Sequence, residues 1–224
     1  MLTAIIVAAG SSRRMGFDKM LAPLAGRPVI EHAVDAFENA GSVTEILVVT
    51  REDRVKEFGQ LLGGKSKVRK VVAGGEHRQN SVKAGLEQLD EGTQYVAVHD
   101  AARPLVTVDQ IERTFVQARV HGAASLAEAV SDTLKRAKDL TVTESVSRHD
   151  LFAMQTPQIF ARALLEEAYR AVFAQQSHIT DEVSAIEQLG RKVVLVPADD
   201  FNFKVTYERD LQLAEFVLRG RARQ

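Results

Sequence analysis

The sequence predicts an α/β protein, a Rossmann-like three-layer sandwich in which helices cover both faces of a mostly parallel, twisted sheet. Short apolar runs alternate with segments of helical periodicity along most of the 224 residues. The first apolar run opens into a polar, glycine-containing loop, which is typical of sheets that bind ligands at the carboxyl ends of their strands. The composition, 45% apolar and 26% charged, is that of a globular protein.

The predicted strands are short, continuous apolar runs, as expected of strands that are buried on both faces. The first covers residues 4–8 and leads into the loop of residues 10–18. The same pattern predicts strands at residues 46–49, 68–72, 95–98 and 192–196, and strand or mixed structure at residues 123–130.

A helix is predicted over residues 28–39, because Pro28 suits its first turn, Gly41 follows its end, and the apolar residues between them form one stripe. Similar periodicity predicts helices at residues 51–62, 79–89, 108–120, 162–174, 181–189 and 208–219. The basic residues 219–223 are expected to form a frayed, solvated tail.

An arm at about residues 131–149 interrupts this alternation. Its sequence predicts two short strands around a turn at Lys138 and Asp139, with Leu140 and Val142 on one face of the second strand. A two-stranded hairpin is marginally stable alone in water. We therefore expect a protruding β-hairpin that packs either on its own domain or on a second subunit.

Length, composition and charge exclude several classes of protein. A chain of this length buries its own core, and we expect a single domain over residues 1–224. The absence of cysteine excludes disulfides and thiolate chemistry and fits a cytoplasmic location. The first apolar run is too short to cross a bilayer, so no membrane association is expected. A net charge of −1 argues against a general nucleic-acid-binding protein.

Residues 59–66 match the phosphate-binding expression G-x-x-x-x-G-K-[ST] letter for letter. That motif requires a strand before the loop and a helix after it, because amides at the helix N-terminus bind the phosphates. Here a predicted helix precedes the loop and a predicted strand follows it. We therefore interpret the glycines as a helix stop and do not expect Lys65 to bind nucleotide.

The loop after the first predicted strand, in contrast, suits a polyphosphate. After the small residues Ala8 and Ala9, Gly10 and the two serines that follow it let a ligand approach the backbone amides. Arg14 and Lys19 follow and supply cations for oxygens on adjacent phosphates. A solvated basic loop is the alternative, but position and composition together favour phosphate binding.

This loop resembles the opening of nucleotidyltransferases that activate sugar or alcohol phosphates. Later motifs occur in the order seen in the 2-C-methyl-D-erythritol 4-phosphate cytidylyltransferase family, and the resemblance covers nearly the whole chain. These motifs are residues 74–82 (GGEHRQNSV), 99–104 (HDAARP), 155–158 (QTPQ), 179–182 (ITDE) and 202–206 (NFKVT).

The resemblance implies a role for each matching residue. Three catalytic residues that stabilise charge on the phosphates are implied at Arg14, Lys19 and Lys204. The positions implied to bind CTP are Ala8, Ala9, Gly10, Gly75, Glu76, Ser81 and Asp100. The positions implied to bind the alcohol phosphate are Asp100, Arg103, Thr133, Arg148, Thr156 and Lys204, some of them contributed across a homodimer through the arm. Mg²⁺ is the implied cofactor, with Asp100 a possible ligand.

The implied reaction transfers CMP from CTP to 2-C-methyl-D-erythritol 4-phosphate, with release of pyrophosphate. It requires no general base, because a phosphate monoester has a second pKa of about 6 and is already ionised at neutral pH. What opposes the reaction is repulsion between two anions. We therefore expect catalysis by in-line positioning and by neutralisation of charge.

The sequence departs from the family at a few positions, and three other classes of protein are the alternatives. Relatives usually carry Pro and Gln on either side of the loop lysine, where this chain has Asp18 and Met20, and Pro where it has Ala129. Ribitol 5-phosphate cytidylyltransferases tend to differ at Ala9 and Ala102, and molybdopterin cytidylyltransferases lack the HDAARP motif. A non-catalytic nucleotide-binding protein would be expected to lose a loop cation or the Lys of NFKVT, and this chain keeps both.

Overall fold

The computed structural model describes residues 1–10 and 15–223. In chain order its strands are β1 (Leu2–Val7), β2 (Pro23–Leu24), β3 (Arg27–Pro28), β4 (Val43–Thr50), β5 (Val68–Ala73), β6 (Tyr95–Asp100), β7 (Ala123–Ala129), β8 (Leu134–Lys138), β9 (Thr141–Val146), β10 (Phe152–Ala161) and β11 (Val194–Pro197). Seven of them form a central sheet in the order β11-β7-β10-β6-β1-β4-β5. All neighbours in this sheet are parallel except those of β10, which confirms a mostly parallel sheet.

Helices cover both faces of the sheet and confirm the predicted class. They are α1 (Val29–Asn39), α2 (Val55–Leu62), α3 (Arg78–Leu86), α4 (Val108–His121), α5 (Arg162–Ala174), α6 (Glu182–Gln188) and α7 (Glu208–Arg221). A short 3-10 turn, Glu52–Arg54, forms the first part of the predicted helix at residues 51–62. Each predicted helix and strand therefore has a counterpart in the structure.

The alternation of side chains along β1 divides the core into two layers. Ala4 and Ile6 pack on one face of the sheet, in a cluster to which α1, α2, α4 and α7 contribute apolar residues. Ile5 packs on the other face, in a cluster formed with α3, α5 and α6. Because successive residues of a strand point to opposite faces, one short apolar run supplies both cores.

The antiparallel strand β10 was not predicted from the sequence. Its centre is the polar, proline-containing QTPQ motif, which does not have the pattern of a buried strand. The pairing of β10 with β7 shifts in register between Met154 and Gln158, so the strand accommodates the motif as an irregularity. As a result, the motif lies within the sheet, beside the carboxyl end of β6.

The predicted arm is a two-stranded sheet of its own, but its turn lies one residue later than expected. Asp139 and Leu140 both have left-handed backbone angles, with φ of 49° and 61°, as in two-residue hairpin loops. The prediction that Leu140 belongs to the second strand was therefore wrong. Leu140 is fully exposed at the tip of the arm, and Val142 is 61% exposed.

The C-terminal prediction was also wrong, because residues 219–221 belong to α7 and are not a frayed tail. Arg221 donates to the carbonyl oxygens of Leu105 (2.7 Å) and Phe201 (2.9 Å) and pairs with Asp200 (2.8 Å). The end of the helix is thus attached to the segment that precedes Lys204.

The phosphate-loop look-alike is a helix end, as predicted. Helix α2 ends at Leu62, Gly63 follows as its C-cap, and β5 begins at Val68. Lys65 pairs with Asp35 of α1 at 2.5 Å. No helix in the described part of the chain is long and apolar enough to cross a membrane.

Candidate functional site

Two neighbouring cavities lie at the edge of the sheet where the carboxyl ends of β1, β5 and β6 meet. The first has a volume of about 320 Å³, and the second of about 380 Å³. Nine of the predicted site residues line the first cavity: Ala8, Ala9, Gly10, Lys19, Gly75, Glu76, Ser81, Asp100 and Lys204. The second cavity is lined by four of them, namely Asp100, Arg103, Thr156 and Lys204. Among the described residues, Arg78, Asp100 and Lys204 line both cavities and form their junction.

A tight turn after β5 forms one wall of the first cavity. Ser81 is buried in the second turn of α3, and its hydroxyl accepts a hydrogen bond from the Gly75 amide at 3.3 Å. A Cβ atom on Gly74 would come within 2.5 Å of the Ser81 Oγ, and one on Gly75 would overlap Asn80. Glycine is therefore required at both positions because helix α3 lies directly against the turn.

Lys19 reaches the first cavity from a segment that is fixed on either side. Its Nζ donates to the carbonyl oxygen of Val205 at 3.2 Å. The neighbouring Asp18 carboxylate accepts from the Met20 amide (3.1 Å) and pairs with Arg54 (3.3 Å) and Arg51 (3.6 Å). The other predicted loop cation, Arg14, lies outside the described residues.

Asp100 ends β6 and is held between two cations. Its Oδ1 accepts from Arg78 Nε at 2.9 Å, and its Oδ2 accepts from Lys204 Nζ at 2.6 Å. Burial alone would raise the pKa of Asp100, but the positive charges of Arg78 and Lys204 outweigh burial and hold the pKa well below its ordinary value. Asp100 is thus an anion throughout the physiological pH range.

Arg78 itself bridges Asp100 and a second carboxylate. Its two terminal nitrogens donate to Glu182 at 2.7 and 2.9 Å, and the Tyr169 hydroxyl donates to the same carboxylate at 2.8 Å. Burial lowers the pKa of Arg78, yet Glu182 and Asp100 together raise it well above its ordinary value. Removing one partner of such a buried pair costs about 3–5 kcal/mol of unfolding free energy.

His99 and Thr156 fix the backbone of Asp100. Burial lowers the pKa of His99 to about 3, so its ring is neutral. Because the Arg103 carbonyl oxygen only accepts, His99 Nε2 donates to it (3.2 Å) and Nδ1 is left to accept from the Thr156 hydroxyl (2.9 Å). The Thr156 oxygen in turn accepts from the Asp100 amide at 3.1 Å. The predicted substrate-binding hydroxyl of Thr156 is therefore engaged inside the protein.

The segment that carries Lys204 is attached to the sheet through Arg103 and Asn202. Arg103 donates to the carbonyl oxygens of Asn202 (2.8 Å) and Met154 (3.2 Å), and burial lowers its pKa. Asn202 donates to the Thr156 carbonyl oxygen at 2.8 Å. The Arg103 guanidinium, which the resemblance assigns to substrate, thus lies in the wall of the second cavity with its terminal nitrogens bound to backbone.

Thr133 and Arg148 are not brought to the cavities within one chain. Both are exposed at the base of the arm, and neither is among the described residues that line either cavity. Arg148 donates to the carbonyl oxygen of Ser131. The remaining predicted residues that the structure describes lie in the walls of the two cavities.

Sequence reasoning missed the roles of Arg78, Glu182 and His99, although each lies within a motif that had been singled out. The available signal was a charged residue at the first position of a helix in two of these motifs, Arg78 in α3 and Glu182 in α6. The sequence does not show that these two helix starts face each other, because 104 residues separate them.

The charged groups of the first cavity suit a polyanion with a divalent cation. Its wall, as far as the structure describes it, contains the carboxylates of Asp100 and Glu76 beside the cations already described. Mg²⁺ typically takes one or two carboxylates together with phosphate oxygens and water, so this donor set fits it. Among the described residues, no three histidine or carboxylate side chains lie close enough to hold a metal ion by themselves.

The chain is similar to known proteins in both sequence and fold. The family model described as IspD, 2-C-methyl-D-erythritol 4-phosphate cytidylyltransferase, matches residues 2–220. The 2-C-methyl-D-erythritol 4-phosphate cytidylyltransferase of Halalkalibacterium halodurans is 38% identical over 99% of both chains. A crystal structure of 4-diphosphocytidyl-2C-methyl-D-erythritol synthase from Anaerococcus prevotii superposes with a TM-score of 0.87, at 28% identity over 98% of both chains. The Thermus thermophilus 2-C-methyl-D-erythritol 4-phosphate cytidylyltransferase superposes with a TM-score of 0.80, at 29% identity, covering 96% of this chain and 98% of that one.

Proposed function

Because the chain belongs to the 2-C-methyl-D-erythritol 4-phosphate cytidylyltransferase family, it is a nucleotidyltransferase of isoprenoid biosynthesis, and we propose how its residues perform the reaction. The enzyme transfers CMP from CTP to the phosphate of 2-C-methyl-D-erythritol 4-phosphate. A phosphate oxygen of the acceptor forms a bond to the α-phosphorus of CTP, the bond to the β-phosphate breaks, and pyrophosphate leaves. The product is 4-diphosphocytidyl-2-C-methyl-D-erythritol.

CTP occupies the first cavity, and the alcohol phosphate occupies the second. The observation that carries this placement is the junction of Arg78, Asp100 and Lys204, which belongs to the walls of both cavities. Two substrates bound on either side of this junction meet where they must react. The base lies against the Gly74–Gly75 turn, and Asp100 accepts hydrogen bonds from hydroxyl groups at the junction.

Lys19 and Lys204 neutralise the charge that the two anionic substrates bring together, and Arg14 joins them from the phosphate loop. Both lysines line the first cavity. The acceptor phosphate is already ionised at neutral pH, so no side chain has to remove a proton from it. The contribution of the protein is thus the alignment of acceptor, α-phosphorus and leaving group, together with fixed positive charge around them.

Mg²⁺ is the proposed cofactor, with Asp100 and Glu76 as the residues available to hold it or its water ligands. When bound, it neutralises negative charge on the CTP phosphates. Lys204 donates to one oxygen of Asp100, so Asp100 would hold the ion or its water ligands through its remaining acceptor positions.

The arm completes the site in a homodimer. Thr133 and Arg148 line neither cavity of their own chain, and Leu140 and Val142 leave an apolar tip exposed to solvent. We propose that the arm extends over a second subunit, where these two residues reach the alcohol phosphate. The whole chain is one nucleotidyltransferase domain of a cytoplasmic enzyme, without membrane or nucleic-acid partners.

A pyrophosphate-release assay tests the proposal. The purified protein is incubated with CTP, UTP or ATP, with 2-C-methyl-D-erythritol 4-phosphate or ribitol 5-phosphate, and with Mg²⁺ or EDTA. We expect release only with CTP, the methylerythritol phosphate and Mg²⁺ together. Release with ribitol 5-phosphate but not with 2-C-methyl-D-erythritol 4-phosphate would contradict the proposed acceptor. Full activity in EDTA would contradict the proposed metal cofactor.

A further inference from the structure

Arg78 lies at the junction of the two cavities, beside Asp100 and Lys204, and the proposal above gives it no part in the reaction. Its side chain is 23% exposed, so one side faces the cavities and the other faces the protein interior. The interior side meets Glu182, whose side chain is 0% exposed. A fully buried carboxylate is costly unless it is paired and hydrogen-bonded, as Glu182 is by Arg78 and Tyr169.

Five side chains form one continuous set of contacts from the core to the junction. Tyr169 donates to Glu182 (2.8 Å), Glu182 accepts both terminal nitrogens of Arg78 (2.7 and 2.9 Å), and Arg78 Nε donates to Asp100 (2.9 Å). Lys204 completes the set by donating to the other oxygen of Asp100 (2.6 Å). The planar guanidinium is thus held on one side by Glu182 and positions Asp100 on the other.

The two cations that hold Asp100 differ in how firmly they are themselves held. Arg78 is the first residue of α3, and Glu182 is the first residue of α6, where Gln158 accepts hydrogen bonds from the amides of Glu182 (3.0 Å) and Val183 (3.1 Å). Lys204 lies outside helices and strands, and its side chain is 40% exposed. Lys204 is therefore the partner of Asp100 that can turn to a phosphate, whereas Arg78 stays in place.

We propose that Arg78 and Glu182 are positioning residues for the transfer reaction. Glu182 orients the Arg78 guanidinium, and Arg78 keeps Asp100 at the junction while the Lys204 ammonium turns from Asp100 to the substrates' phosphates. The inference rests on the proposed function, which places both substrates at this junction. It adds a second layer of residues, on α3 and α6, to the residues that contact substrate.

Two variants test the proposal. Arg78→Lys keeps the positive charge but cannot bridge two carboxylates, and we expect kcat to fall by about 10- to 100-fold while the Kd for CTP, measured by calorimetry without acceptor, stays near the parental value. The combined variant Arg78→Met, Glu182→Leu, Tyr169→Phe replaces the whole buried network by apolar side chains. Such replacements are often neutral for stability, so we expect the parental unfolding temperature with a similarly reduced kcat.

Arg162→Lys is the matched control. Arg162 is 26% exposed, donates to Glu166 (2.7 Å) and to the Asp90 carbonyl oxygen (2.6 Å), and begins α5 outside the walls of both cavities. Its kcat should equal that of the parent. Asp100→Asn is measured beside it and should have a low kcat.

The outcomes separate the two proposals. Parental kcat in folded Arg78→Lys or in the combined variant, with low kcat in Asp100→Asn, overturns the positioning role alone. A loss of kcat in Arg162→Lys as large as in Arg78→Lys also overturns it, because the effect would then belong to any such ion pair. Parental kcat in Asp100→Asn overturns the role of Asp100 in the proposed function. If the combined variant does not fold, Arg78→Lys alone decides.

Discussion

At the scale of single residues, Asp18 does not line the cavity but holds the segment that carries Lys19, which does. Asp18 is one of the positions at which the sequence departs from the family, directly beside Lys19. In the structure its carboxylate is bound by the Met20 amide and by Arg54 and Arg51, while Lys19 donates to Val205. Asp18 therefore attaches the Lys19 segment to the start of the turn that follows β4.

This attachment predicts the effect of Asp18→Asn, which keeps an acceptor for the Met20 amide but loses the charge that pairs with Arg54. We expect the KM for CTP to rise or kcat to fall by about 3- to 10-fold, because Lys19 loses part of its support. Asp53→Asn is the control, since Asp53 pairs with the same two arginines but its side chain is 65% exposed. Equal kinetics for the two variants would contradict the role of Asp18.

At the scale of elements, the order of helix and strand decides which glycine-containing loop meets a phosphate. The loop after β1 opens at the carboxyl edge of the sheet, beside the first cavity. Residues 59–66, which match the phosphate-binding motif, span the end of α2 and precede β5. They therefore lie near the amino end of β5, whereas the first cavity lies at its carboxyl end. The match of residues 59–66 to a phosphate-binding motif is therefore a match of sequence without the matching structure.

We accordingly predict that Lys65→Ala leaves the KM for CTP and kcat unchanged. Lys65 pairs with Asp35, and the two side chains are 26% and 23% exposed. Because Arg27 still pairs with Asp35 when Lys65 is removed, we expect a loss of about 1 kcal/mol of unfolding free energy. Steady-state kinetics and thermal unfolding check both statements. A loss of CTP binding, as large as that expected on removal of Lys19, would show that the loop does bind nucleotide.

At the scale of the whole molecule, the exposed arm is the part of the chain on which the proposed homodimer depends. Arg148 cannot act in its own cavity if it lies outside the wall, yet the resemblance assigns it to the alcohol phosphate. The proposed homodimer would resolve this, because two identical arms related by a two-fold axis would each reach the other subunit's site.

Mixing two inactive variants tests this arrangement. Lys204→Ala removes a residue from its own cavity, and Arg148→Ala removes one from the arm. After the subunits exchange, we expect about a quarter of the parental rate, because half of randomly formed dimers are mixed and one of their two sites is complete. No recovery, in a mixture shown by native mass spectrometry to contain mixed dimers, would place Arg148 in the site of its own chain.

The sequence by itself determined the layers of the fold and part of the cavity wall. Apolar periodicity is a local property that reports burial directly, so the predicted strands and helices were confirmed. The small residues Ala8 to Gly10 and the glycines at 74 and 75 follow strands whose carboxyl ends must share one edge of a parallel sheet. Their convergence was therefore predictable without coordinates.

Only the tertiary structure decided which polar groups meet. The antiparallel strand β10 carries the QTPQ motif into the sheet, although its proline and polar residues do not have a strand pattern. Arg221 was expected in a solvated tail but holds the segment before Lys204. Arg78 and Glu182 pair across 104 residues. The sequence around a charged side chain does not indicate its partner, because that partner is determined by how distant helices pack on the sheet.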